Sequence, residues 1–400
     1  MSSFGWLDTD PAQRRRMLEV VDLFKDAGSV DELGIGAIRD ALSDALSPGT
    51  SVLHTRLRYT LFIPWLLRDA VSAGTPEQMA ERFRDGEFRL IEALLRGGET
   101  QNVIGQEARR TLKRLPSAVY WAAIGRWGLC TRPISLTTYF RRAAHVRHLA
   151  ERAARTEEGE AGQFLPDDGF DPHLPPPPDR WLHSVDFALT PAEEQYLSDR
   201  IAAATRGSLL SWLVHHEPAL PVDLPWQLDN LHEAPGDLQE TVDHARRFHT
   251  AIFGAVLLYN LLVARKRAIT DPDNEHVARY EVALEEWRGE LATTGALDGW
   301  DRTAWWATIH AHNPNLNVQT RLFVDRWIDI ISHDAHVEHN TSAARLIESR
   351  EHRLKGTRAR LSNQSALDRW NGRSGLVRLN YRWDVTQRHL QDLYAARRPS

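Results

Sequence analysis

The sequence is short of cysteine, of lysine and of long apolar runs, and each shortage excludes something. Cys130 is the one cysteine among 400 residues, so an internal disulfide framework is excluded. No stretch approaches the roughly 18 consecutive apolar residues of a membrane helix. The longest candidate, 251–263, is interrupted by Tyr259 and Asn260. The opening MSSFGWLDTD has neither a basic nor an apolar leader region, so no signal peptide and a cytoplasmic location are expected. Of 49 basic residues only Lys25, Lys113, Lys266 and Lys355 are lysine. Arginine suits bidentate phosphate contacts, but a GC-rich genome produces the same skew, so arginine identity alone carries little weight.

What is present suffices for a large core: 42% hydrophobic and 26% charged residues are ordinary globular proportions, consistent with two domains or one long helical body. Helical signals recur along the chain. Thr9 or Asp10 caps a first helix whose Met17, Val20, Val21 and Phe24 share one stripe. Ile38, Leu42 and Ala45 mark a second, stopping at Pro48-Gly49, and Thr75-Pro76 opens a third that runs to Gly97-Gly98 with Gly86 as a candidate break. A long basic helix is predicted over 136–155. The proline run in PDDGFDPHLPPPPD forbids helix and marks 156–189 as an acidic linker. Beyond it, Thr190-Pro191 starts a capped helix, 237–268 is the longest apolar helix, and further helices are predicted at about 275–293, 315–332, 341–371 and 383–397. In SGLVRLNYRW, Val377, Leu379, Tyr381 and Trp383 alternate with polar residues, which predicts an extended arm packing its aromatic side on the body. The expectation is an all-α, elongated multi-helix protein: an N-terminal bundle 1–155, the linker 156–189, and a C-terminal bundle 190–400.

The stretch TSVLHTRLRYTLFIPWLL, residues 50–67, is densely apolar yet keeps Arg56, Arg58 and Pro64. On a helix the two arginines lie about 200° apart and cannot share a face. At least one must reach water or a carboxylate, since an unpaired buried guanidinium is too costly. Pro64 should kink the helix by removing the bond to the Thr60 carbonyl. A kinked core helix with structural ion pairs is the preferred reading over a ligand site.

FGWLD, DELGIGAIRDALSDALSPGTS and HTRLRYTLFIPW at one end, with RWNGRSGLVRLNYRW and HLQDLY at the other, resemble the signatures of a bacterial family known only as a domain of unknown function. The resemblance implies no catalytic residues. It implies gene neighbours: helicases and phospholipase D-like nucleases of phage-defence islands.

The net charge of −5 conceals blocks. Residues 101–155 carry 11 Arg or Lys against Glu107 and Glu151, net +9, whereas 156–245 carry 18 acids against Arg180, Arg200 and Arg206, net −15. Residues 345–400 are net +8, with 13 basic and 5 acidic side chains. Convergence of Arg141, Arg142, Arg147, Arg152 and Arg155 with Arg358, Arg360, Arg369, Arg373, Arg378 and Arg382 would make one phosphate-binding surface, with Tyr381 and Trp383 available to stack bases. The plainer alternative is that the basic blocks dock on acidic parts of the same chain.

Other chemistry is thin. SHDAHVEH places His333, His336 and His339 beside Asp334, and an all-helical His-Asp dyad is similar to the HD-type metal phosphohydrolases, with His310, His312 and Asp368 as further ligands on paper. The residues after the dyad depart from that pattern, and histidines spaced by three drift about 60° per step around a helix. His215-His216-Glu217 lacks a second ligand pair, Gly34-x-Gly36 lacks a third glycine and a preceding strand, and Cys130 has no neighbouring base. Trp300, Trp305 and Trp306 read as wedges between helices. The expected function is a non-catalytic nucleic-acid-binding or adaptor component of antiphage defence that contacts DNA or a helicase or nuclease partner, without cofactor, metal or membrane. The alternatives are a metal-dependent phosphohydrolase at His333-Asp334 and a protein-binding scaffold.

Overall fold

A computed structural model describes residues 31–132, 134–156, 168–271 and 275–398; the first expected helix, over 9–24, lies outside the described residues. The protein is all-α. Among the described residues the only strand-like pairing is one isolated bridge between Cys130 and Phe170.

In the N-terminal half, α1 (Gly36–Leu46) buries Ile38, Leu42 and Ala45, the stripe its sequence periodicity predicts. Helix α2 (Tyr59–Ala70) holds Pro64 inside it and buries every residue from Tyr59 to Leu67, so it is apolar all round as a central helix must be. Helix α3 (Pro76–Arg96) starts from a reciprocal capping box between Thr75 and Gln78. It runs unbroken through Gly86, because this glycine serves packing: a Cβ there would come within 2.8 Å of Leu66 on α2. Two further helices follow, α4 (Pro116–Arg126) and the basic α5 (Leu136–Thr156). Helices α3 and α4 flank α2, and α5 lies against α3.

In the C-terminal half, α6 (Pro191–Ala204) has a second capping box, Thr190 with Glu193, and α7 (Leu209–Leu213) is a single turn. The 33-residue α8 (Gly236–Ala268) is the axis around which α9 (His276–Thr293), α10 (Arg302–His312), α11 (Val318–His333) and α12 (Thr341–Lys355) pack. Helix α8 is long and apolar enough to cross a membrane, and 78% of that stretch is buried against the rest of the protein. Gly254 lets α9 approach closely, since a Cβ would sit 2.3 Å from the Trp287 ring. The single helix expected over 341–371 is broken: Gly356 adopts φ 55°, and the buried Glu351 carboxylate accepts the backbone N–H groups of Arg360 and Leu361. The chain therefore turns back before the short α13 (Gln364–Asp368) and the final α14 (Trp383–Arg397).

The halves do not keep separate cores. One buried cluster runs from Leu33 to Tyr394, with α1 packed on α8 and α10, and α14 on α6. Nor do the described residues 168–189 behave as a linker. Trp181 stacks on Phe62 at 5.7 Å, the Trp65 indole N–H donates to the Pro175 carbonyl, and the Val185 N–H donates to Ala93. Prolines forbid helix, but they do not forbid an extended strip from covering α2 and α3, and the apolar residues between them supply the reason to do so.

Candidate nucleic-acid interface

The arginines of 50–67 find carboxylates, as the sequence required. Helix begins only at Tyr59, so Arg56 and Arg58 sit in the irregular approach to it. Arg56 pairs with Asp392 at 2.8 Å, and Arg58, 4% exposed, is held by Glu193 at 2.9 Å and Asp186 at 3.1 Å. These pairs fix the approach to α2 against α6 and α14.

The C-terminal arm corrects the expected stacking surface. Tyr381 and Trp383 are each 1% exposed; the Tyr381 hydroxyl donates to the Ala245 carbonyl and the Trp383 indole to that of Val222. Buried rings with satisfied polar tips are core anchors, so neither can stack a base. Arg378 lies 4.1 Å above the Phe253 ring and is chelated by both oxygens of Glu290, at 2.7 and 2.5 Å. That bond holds the Glu290 carboxyl below its ordinary range. Arg382 bonds Asp44 at 2.6 Å and the Thr50 carbonyl. Arg360 is bound to Glu32, whereas Arg358, Arg369 and Arg373 are exposed. Much of the arm's positive charge is thus matched by carboxylates of the same chain.

Helix α5 is different. Tyr139, Arg142, Ala143, Val146 and Arg147 recur at i, i+3, i+4, i+7 and i+8, the stripe that would normally meet another helix. Here the stripe forms one wall of an open cleft of about 500 Å³. The opposite wall comes from the end of α2 and the turn after it: Arg68, Val71 and Ser72. Arg132, Ile134, Asp168 and Gly169 complete the lining. Four arginines and one carboxylate therefore ring a pocket whose interior is largely apolar. Arg68 bonds Asp168 at 2.6 Å, and Arg147 donates to the Ser72 and Ala73 carbonyls at 2.7 and 2.8 Å, which fixes its guanidinium at the wall. Arg141 lies about 200° around the helix from Tyr139 and is exposed on the other face. Arg152 and Arg155 belong to α5, but their side chains fall outside the described residues.

Residues 1–397 match the profile of a family described as "Family of unknown function (DUF6361)". The chain belongs to this family. No curated protein and no solved structure matches it.

In this member of DUF6361, two of the segments that carried the resemblance meet in the core. His54 of HTRLRY stacks on Tyr120 at 4.2 Å and lies 5.5 Å from His389 of HLQDLY. The His54 Nε2 faces the Val119 carbonyl at 3.2 Å, and a carbonyl only accepts, so Nε2 carries the proton. Its Nδ1 and both nitrogens of His389 are buried without hydrogen-bond partners. Burial lowers the His54 pKa to about 4 and drives that of His389 well down. Both rings are neutral packing elements.

The His333-Asp334 reading finds no donor set. Asp334 caps the end of α11 and accepts from the backbone N–H of His336, with the His336 ring 3.1 Å away; that backbone bond and the ring hold its carboxyl below the usual range. Among the described residues no three His, Cys, Asp or Glu side chains are grouped to hold a metal ion. Sequence reasoning named Arg142 and Arg147 but missed Arg68 and Arg132, which join them only through the fold. The available signal was the helical stripe of 139–147, in which arginines occupy positions that packing would make apolar.

Proposed function

We propose that this protein is a non-catalytic nucleic-acid-binding component of bacterial defence against phage, engaging phosphates through the arginine-lined cleft beside α5. One observation supports the reading above the others: four arginines, Arg68, Arg132, Arg142 and Arg147, line a single concavity. Guanidiniums in such an array bind phosphate oxygens bidentately and gain from counterion release. The resemblance to proteins encoded beside helicases and phospholipase D-like nucleases favours DNA as the polymer and a helicase or nuclease as a docking partner. Among the described residues no group of three metal-ligating side chains competes with a binding role.

Fluorescence anisotropy with a labelled DNA strand at increasing salt tests the proposal. Contact with three phosphates gives a log–log salt slope of about −2, and Arg142→Glu weakens binding and reduces the steepness by about one unit. Absence of binding at low salt, or binding indifferent to both salt and Arg142→Glu, refutes it.

A further inference from the structure

Away from the cleft, the basic block 101–155 offers a second grip. Within EARRTLKRLP, residues 107–116, the chain makes one 3-10 turn, Arg109–Thr111, packed against α3. We infer that Arg110 of this turn and Arg84 of α3 form a two-guanidinium clamp for adjacent backbone phosphates of a nucleic-acid strand. This inference rests on the nucleic-acid reading above and adds a contact surface to it.

Three observations lead there. First, both guanidiniums lie over one ring: Arg84 is 5.8 Å and Arg110 5.7 Å from the Phe88 centroid. The ring attracts both cations without cancelling their charge. Both arginines are exposed, and among the described residues neither bonds a carboxylate. Glu87 is turned inward to the Ser117 N–H, and Glu92 is taken by Arg109 at 2.6 Å. Asp85 and Glu107, neighbours in sequence, bond neither arginine.

Second, the turn is locked. Arg109 holds a left-handed φ of 47°, a conformation that costs a bulky residue energy. Its N–H donates to the Gly105 carbonyl at 2.8 Å while its guanidinium donates to Glu92. Gly105 packs so tightly that a Cβ there would sit 2.5 Å from Leu112. Arg110 is therefore presented from a fixed support. Third, α3 carries α5 as well as this turn, so the clamp belongs to a block of net charge +9 and is not an isolated pair. An extended positive surface suits a polymer of phosphates. Inorganic phosphate offers the same oxygens, and the experiment separates the two.

The full chain and its Arg84→Glu/Arg110→Glu variant are titrated with a labelled DNA strand at increasing salt, with inorganic phosphate and polyglutamate as competitors at matched ionic strength. The double variant should bind more weakly and lose about 1.4 units of log–log salt slope, two phosphates at about 0.7 each, in addition to the unit removed by Arg142→Glu. Arg84→Lys/Arg110→Lys keeps both charges and should keep the steepness; an equal loss there would mean damage to the turn and overturns the inference. If the glutamate variant fails to fold by circular dichroism, Arg84→Gln/Arg110→Gln must show the same loss. Strand binding with an unchanged slope in the folded double variant overturns the clamp and leaves the nucleic-acid reading standing. A slope that falls in the double variant but not in Arg142→Glu supports the clamp and removes the cleft from that reading. Displacement of the strand by inorganic phosphate or polyglutamate overturns the clamp in favour of a small anion or an acidic protein. No binding of the strand at low salt overturns both.

Discussion

Replacing His54 with phenylalanine keeps a ring to stack on Tyr120 and removes the titratable nitrogens. The folded-state pKa of His54 is about 4 against an ordinary 6.5. As pH falls, the unfolded chain therefore takes its proton first. The stability tied to His54 is complete above pH 6.5 and is lost as pH falls from there through 4. From the separation of the two values, the loss by pH 4.5 is roughly 2 to 3 kcal/mol. Glu87 acts in the opposite sense. Its burial raises its pKa from 4.5 to about 7, so folding gains as pH falls between those values, and the pH profile of the native protein alone would mask the histidine. The difference between native protein and His54→Phe cancels Glu87, which both share, and reports His54 together with the relief of His389 from its charge. Loss of the bond to the Val119 carbonyl costs the variant about 1 to 3 kcal/mol at every pH. Urea unfolding followed by tryptophan fluorescence should show the native protein ahead by that amount at pH 7.5, with the gap closing or reversing by pH 4.5. A gap that stays constant between these pH values refutes the reasoning, because it means His54 titrates alike in folded and unfolded chains.

Glu193→Gln leaves the Arg58 guanidinium, 4% exposed, with only the half-exposed Asp186 as its anion; unfolding in urea should show a loss of roughly 3 to 5 kcal/mol. A loss under about 1 kcal/mol would mean that water reaches Arg58. Gly254→Ala drives a methyl into the Trp287 ring, which must move together with α9, at a cost of about 1 to 3 kcal/mol. An unchanged midpoint and unchanged Trp287 fluorescence would show that the α8–α9 contact is looser than its geometry.

Helices were readable where local chemistry specifies them. The Thr75 and Thr190 boxes, the stripe Ile38-Leu42-Ala45 and the apolar centre of α8 all state their conformation within a few residues. What failed was long-range. Nothing near Gly356 announces that Glu351 will capture two N–H groups of the following segment and end the helix early. The alternation in 374–383 correctly gave an extended arm, but alternation says only that one side is buried. The aromatic side does pack on the body, with Tyr381 and Trp383 at 1% exposure, which removes them from base stacking; the alternation could not show that Arg378 meets Glu290. Composition likewise misread 168–189, where prolines suggested separation and the intervening Phe170, Trp181 and Phe187 decided otherwise. The cleft was half legible: α5 contributes a recognisable stripe, whereas Arg68 and Arg132 arrive from segments that no local pattern links to it.

Asp392 accepts both the Arg56 guanidinium and the Leu57 backbone N–H, the latter across 335 residues. A ribosome making this polypeptide releases the entrance to α2 long before it has synthesised the carboxylate that the entrance requires. Until the last helix emerges, a cation and an amide destined for the interior have no counterpart, so the first half cannot complete itself during translation. Cutting the chain before residue 392 would then disturb not only the new terminus but also the distant region around Arg56.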